Sequence, residues 1–179
     1  MSRIHFSRIA RYGLGREVEA DLQRLLAECF PDYPSGRSYY KLPPHSHVLA
    51  TCDGRLVAQA GLEYRVFSAG GRALMILGVV DVCVAPDRRS QGVASALLRQ
   101  VEELAVEAGS DFIVLFADDE RVYRSNGFVR AGNVCRWAMI DEHRTLGIKE
   151  EALPGCLMYR SVSAKLWPSG TIDLLGHVF

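Results

Sequence analysis

The sequence predicts an α/β domain of the α+β kind, with a mixed, mostly antiparallel central sheet flanked by helices. Three observations predict it. Strand-like runs are separated by tight glycine turns at Asp53-Gly54 and Ala69-Gly70-Gly71, which are hairpin signals. Two stretches, 16–29 and 92–108, repeat apolar residues at helical spacing. Between them, residues 72–85 form a nearly unbroken apolar run that suits a strand buried on both faces.

Taken in order, residues 3–9 read as a first strand. Val18, Leu22, Leu25, Leu26 and Cys29 mark a helix that Pro31 and Pro34 end. Residues 30–47 are rich in Pro, Tyr, Ser and His without a clean period, and read as a long surface loop or a short helix with loops, a length that is often functional. Strands follow at 47–52, 56–67 and 72–85, and Pro86 stops the last. Val93, Leu97, Leu98, Val101 and Leu104 define an amphipathic helix that Gly109 closes. Residues 112–116 are a short buried strand, and 118–125 a short helix with an acidic start. Further strands are expected at 134–140 and 156–162. No repeat or linker interrupts the chain, so residues 1–179 read as one domain.

The composition excludes several function classes. Apolar residues are 49% and charged residues 23%, as in a globular protein. The formal net charge is zero, without the basic excess expected of a nucleic-acid binder. Of the 21 basic residues nearly all are arginine, whose planar fork suits local anion sites. Five cysteines in irregular spacing, with no C-x-x-C, suggest reduced thiols rather than a disulfide frame or zinc site. No apolar stretch approaches the roughly 20 residues of a membrane span. The polar start Met1-Ser-Arg-Ile-His is unlike a signal peptide. A cytoplasmic protein with no membrane partner is expected.

The most informative segment is Val84-Ala-Pro-Asp-Arg-Arg-Ser-Gln-Gly-Val-Ala94. A buried strand ends, Pro86 breaks the ladder, and a glycine-containing loop opens an amphipathic helix. Amides at a helix start have no internal acceptor and meet the positive end of the macrodipole. Together they make an anion site suited to a pyrophosphate. Gly92 lets the backbone approach closely, and Arg88 and Arg89 add positive charge. Gly92 is not followed by Lys and Ser or Thr, so this is not a P-loop, and it is not G-x-G-x-x-G.

Val84-x-Pro86-x-x-Arg89-x-x-Gly92-x-Ala94 resembles the acetyl-CoA signature of the GNAT (GCN5-related N-acetyltransferase) superfamily. Tyr123-Arg-Ser-Asn-Gly127-Phe128 is similar to its Tyr-x-x-x-Gly-Phe element. The resemblance covers roughly residues 47–130. It implies a GNAT fold and acyl transfer from acetyl-CoA, or another acyl-CoA, to an amine, with no metal. By the same resemblance, the backbone of Val82, Cys83 and Val84 would hold pantetheine. The amides of Arg89, Ser90, Gln91, Gly92, Val93 and Ala94 would cradle the pyrophosphate, and the Tyr123 phenol would protonate the departing thiolate. Many relatives carry an Asn upstream of the tyrosine, where this chain has Asp118 and Asp119.

The general base is expected among carboxylates. Asp81 interrupts an apolar strand, where it must be satisfied or have a raised pKa; a structural hydrogen-bonded role is the alternative. Glu63 on the preceding strand is the second candidate. Tyr33, Tyr39 and Tyr40 fall where the family's acceptor segment runs and are candidate substrate contacts. His45 and His47 alternate, but no third metal ligand accompanies them. Trp167-Pro-Ser-Gly170 is similar to the tails of nodulation acyltransferases and aminoglycoside 2′-N-acetyltransferases, which suggests an amino-sugar acceptor. The expected partners are acetyl-CoA and a small amine, with a homodimer left open. Two alternatives stand beside this enzyme: a non-catalytic acyl-CoA-binding module, and an acetyltransferase for protein or peptide amines.

Overall fold

The computed structural model describes residues 3–153 and 155–179. Met1 and Ser2, part of the polar N-terminal segment, lie outside them. The chain forms two compact units: residues up to Leu62 with Val80–Val101, and Glu63–Val79 with Glu102–Phe179. Two long strands, β3 (Arg55–Ala69) and β4 (Arg72–Val84), and the helix α2 (Val93–Glu107) run through both.

In the first unit, β1 (Ile4–Ala10) pairs antiparallel with β2 (Ser46–Cys52), from Ile4↔Cys52 to Ala10↔Ser46. β2 pairs antiparallel with β3, with a register shift between Ala50 and Thr51. The β2–β3 turn is Asp53-Gly54, both left-handed at φ 51° and 77°, the geometry of the expected tight hairpin. Helix α1 (Arg16–Cys29) starts with Glu17 and Glu19 in its first turn, where acids suit the dipole. It buries Leu22, Leu25 and Leu26 at the i, i+3, i+4 spacing that predicted it. The first half of α2 buries Val93, Leu97, Leu98 and Val101 in the same way.

The second unit is a sheet in the order β6-β9-β5-β4-β3-β10-β7-β8. Its members besides β3 and β4 are β5 (Phe112–Phe116), β6 (Val129–Arg130), β7 (Val134–Asp141), β8 (Arg144–Ala152), β9 (Leu157–Ser161) and β10 (Ile172–His177). The β4–β5 and β7–β10 pairs are parallel; β3–β10, β5–β9, β6–β9 and β7–β8 are antiparallel. The sheet is therefore mixed and mostly antiparallel. Phe67, Ile76, Phe112, Leu157 and Ile172 lie in its core. Trp167 packs on the edge of this core. It stacks on Tyr159 at 4.1 Å and donates its indole N–H to Asn133 Oδ1 at 2.8 Å. The tryptophan that resembled an amino-sugar enzyme's tail thus has a packing role.

Four elements differ from the sequence reading. The short helix α3 spans only Arg121–Ser125, and Asp119 Oδ1 accepts from the Arg121 amide at 3.0 Å just ahead of it. β6, β8 and β10 lie in stretches given no strand from sequence. No helix among the described residues is long and apolar enough to cross a membrane.

Candidate functional site

In the first unit the site is built around the end of β4. Asp81 interrupts the strand with φ 50°, a left-handed conformation that side-chain-bearing residues seldom adopt. Its backbone is held there by Gln59 on β3, whose amide Nε2 donates to Asp81 O. Gln59 is buried, and its Oε1 lies 3.1 Å from Nδ1 of the equally buried His47 on β2. A carbonyl oxygen accepts, so His47 carries its proton on Nδ1. Burial holds that imidazole below its ordinary value. His47 is therefore an interior residue of the strand core. Among the described residues no group of three or more His, Cys, Asp or Glu is arranged to hold a metal ion.

The Asp81 carboxylate accepts a 2.6 Å hydrogen bond from the Tyr33 hydroxyl. Burial, then the neighbouring carboxylate, hold the Tyr33 phenol well above its ordinary pKa, so Tyr33 stays a neutral donor. Tyr33 also stacks on Phe30 at 5.8 Å and meets Tyr40 edge-on at 6.0 Å. These rings line a cavity of about 260 Å³ with Pro31, Asp32 and Asp81. Of the three tyrosines expected to touch an acceptor, Tyr33 and Tyr40 are brought together here. Tyr39 is not among the lining residues and packs beside the guanidinium groups of Arg11 and Arg37, at 5.9 and 5.6 Å.

Past β4 the chain is anchored by Ala85 N donating to Val57 O at 2.8 Å, then makes a single 3-10 turn over Pro86–Arg88. Arg89 donates from Nε to Val84 O at 3.1 Å, and its own amide reaches Pro86 O at 3.4 Å. Gln91 braces the loop from Nε2 to Asp87 O at 3.0 Å. Ser90 and Gly92 are both left-handed, at φ 59° and 77°. Left-handed residues of this kind are the ones that let successive amides turn toward one side, as in anion-binding backbone nests. Ala96 N makes the helical bond to Gly92 O at 3.0 Å, so the first-turn amides before it have no intrahelical acceptor. The first turn of α2 carries no acid, and a Cβ added to Gly92 would meet nothing within 4 Å. The backbone from Ser90 to Ala94 thus borders open space at the positive end of a helix of 15 residues.

Cys29, at the end of α1, was not singled out as a site residue by sequence. Its thiol lies 3.4 Å from Val84 O. The Cys83 thiol beside it, then Arg89, draw the Cys29 pKa down to about 7. Cys83 is buried and pushed up in turn. Gln59 was also missed; its signal was a single amide inside the apolar run Leu56-Val-Ala-Gln-Ala60.

In the second unit Tyr123 lies on α3, half-buried, with its ring edge-on to Phe128 at 5.8 Å. Its carbonyl accepts from Asn126 N and Phe128 N at 3.0 and 3.1 Å, which closes the helix into Gly127. Gly127 has φ 82°, and the Arg160 guanidinium lies 3.3 Å from where a Cβ would sit. The glycine of that motif is thus required by both conformation and close approach. Glu63 is buried, not exposed; its carboxylate is 3.2 Å from Arg65 Nη1 and 3.4 Å from His177 Nε2. Arg65 also donates to His177 O and Leu174 O, at 2.9 and 3.1 Å, so the group ties β10 to β3.

These elements define a fold of the N-acyltransferase class. A family profile described as Acetyltransferase (GNAT) domain matches residues 14–131, more than half of the chain, and the chain belongs to that family. No curated protein matches the chain. Solved structures share the fold. One is the GNAT family N-acetyltransferase YhbS from Escherichia coli in complex with CoA. It has TM-score 0.64 and 17% identity, over 97% of this chain and 89% of that one. A GNAT family acetyltransferase from Brucella melitensis in complex with acetyl-CoA gives 0.61 and 16%, over 95% and 94%. The GCN5-related N-acetyltransferase from Kribbella flavida gives 0.58 and 21%, over 71% of this chain. This chain spans only 33% of the length of the Kribbella flavida protein.

Proposed function

We infer that the protein is a single-domain enzyme that transfers an acetyl or other acyl group from acyl-CoA to a primary amine of a small molecule. The observation that carries this reading is the open, left-handed loop Ser90–Ala94 at the α2 N-terminus. It suits a diphosphate: the first-turn amides have no intrahelical acceptor, no acid stands in the first turn, and Gly92 leaves the backbone bare. Membership of the GNAT family and the CoA and acetyl-CoA complexes of the neighbours support the same co-substrate.

In this reading the amides of Ser90–Ala94 hold the diphosphate, and the backbone of Val82–Val84 lies along pantetheine. A primary ammonium gives one proton to a base, and its nitrogen then bonds to the thioester carbonyl carbon. The carbon–sulfur bond breaks, the nitrogen gives up a second proton, and the thiolate takes one. The balance is ammonium plus acyl-CoA giving amide, CoA thiol and one proton. Asp81 is the base, because it borders the aromatic cavity, whereas Glu63 is committed to Arg65 beside His177. Tyr123 supplies the thiolate's proton. The Asp32 and Asp81 carboxylates that border the cavity of about 260 Å³ suit a small cationic acceptor. The packing of Trp167 gives the tail a structural role whatever the acceptor.

The test is thiol release from acetyl-CoA with a panel of polyamines, amino sugars, simple amines, amino acids and peptides. At least one small amine releases thiol with a matching N-acetyl product. CoA binding with no turnover on any amine would favour the binding-module alternative.

A further inference from the structure

The chemistry of the cavity beside Asp81 narrows the acceptor further, given the acyl-transfer reading above. Three ring faces, Phe30, Tyr33 and Tyr40, and Pro31 supply its apolar wall. The rings form one connected surface, Tyr33 being stacked on Phe30 and edge-on to Tyr40. The charged side chains in the lining are Asp32 and Asp81, both carboxylates. Tyr33 directs its proton to Asp81 at 2.6 Å.

Each feature selects. Carboxylates and aromatic faces attract an ammonium ion. The same carboxylates repel a ligand that brings its own carboxylate, phosphate or sulfate. The ring faces and Pro31 reward an apolar body in proportion to the area it removes from water, which a hydroxyl-covered sugar cannot match. The volume, about 260 Å³, lies just below the roughly 300–1,000 Å³ of sites for drug-sized ligands. It suits one ring or a short chain.

We propose that the acceptor is a small monocationic primary amine with an apolar body and no anionic group, an arylalkylamine or short alkylamine, seated in the Phe30–Tyr33–Tyr40 cavity with its ammonium toward Asp32 and Asp81. The ring faces hold the body, the carboxylates hold the charge, and Asp81 takes the proton that frees the amine for attack.

The experiment compares kcat/KM for phenylethylamine, hexylamine, phenylalanine and glucosamine with acetyl-CoA on the full chain. Phenylalanine keeps the ring and adds a carboxylate; glucosamine keeps the amine and adds hydroxyls. Phenylethylamine or hexylamine exceeds both by roughly tenfold or more, as one favourable cation–aromatic contact plus relief of charge repulsion would give. Asp32→Asn raises KM for the amine with little change in kcat, and Tyr40→Ala does so most for phenylethylamine. Phenylalanine or glucosamine turning over as fast as phenylethylamine overturns the substrate class and leaves acyl transfer standing. Silence with all four amines overturns the substrate class; turnover of a polyamine or peptide from the wider panel then leaves acyl transfer standing, and silence across that panel too removes both.

Discussion

Asp81 and Tyr123 are the residues on which the proposed chemistry rests, and their settings differ. Asp81 occupies a left-handed conformation inside a strand, a state that costs roughly 1–3 kcal/mol and persists only where neighbours enforce it. Gln59 enforces it at the backbone and Tyr33 orients the carboxylate, the over-determination expected of a functional group. Tyr123 is set by a five-residue helix and by Phe128, with Gly127 closing the turn. Replacing Tyr123 with Phe removes only the hydroxyl and keeps the edge-on ring contact. Tyr123→Phe therefore slows thiol release by about 10²–10³-fold, in the range of a lost proton donor, with CoA affinity kept. Steady-state kinetics beside calorimetric CoA titration check this; an unchanged kcat removes Tyr123 from the mechanism.

At the scale of elements, β2, β3 and β4 are joined by the interior chain His47–Gln59–Asp81. Folded His47 prefers its neutral form, because burial outweighs the opposite pull of Gln59 and Glu19, and Arg11 acts with burial. Its ordinary value is 6.5, so above that pH folded and unfolded chains bind the same number of protons there. As pH falls below it the unfolded chain takes up a proton that folded His47 refuses, and stability is lost. The expected outcome is a thermal midpoint that is flat above neutrality and falls from about pH 6.5 toward about pH 5, with the fall reduced in His47→Gln. Equal falls in both proteins would contradict this account of the strand core.

The same strands show what the sequence could reveal. The Asp53-Gly54 and Gly70-Gly71 turns announced their hairpins because left-handed pairs favour Gly and Asp. The turn Glu142-His143 that joins β7 to β8 is also left-handed, at φ 39° and 63°, but its residues carry no turn signal. β8 itself is exposed along nearly its whole length, so no alternation of burial marks it. β10 pairs with β7 across a break between Asp173 and His177, a pattern set by tertiary partners.

Over the whole molecule, the strand–loop–helix from Val84 to Leu98 was legible because its chemistry is local: glycine, proline and a helix start lie next to one another. The acceptor cavity was only partly legible. Tyr33 and Tyr40 stood out in their loop, but their meeting with Asp81 spans about 40 residues of sequence and depends on the fold. Tyr39, their immediate neighbour, turns to Arg11 and Arg37. Glu63 looked like a possible base because the sequence shows neither Arg65's orientation nor His177's position.

The proposed grip of the Ser90–Ala94 backbone on the diphosphate of CoA is tested most directly by calorimetric titration of CoA into wild type, Gly92→Glu and Gly71→Glu. Gly71 has the same φ of 77° and equally open surroundings at the β3–β4 turn, so its variant carries the same backbone strain away from the loop. Wild type and Gly71→Glu bind CoA, while Gly92→Glu stays folded by circular dichroism and loses binding by more than about 100-fold, since a carboxylate then stands where the diphosphate lies. Wild-type affinity in folded Gly92→Glu would contradict the account.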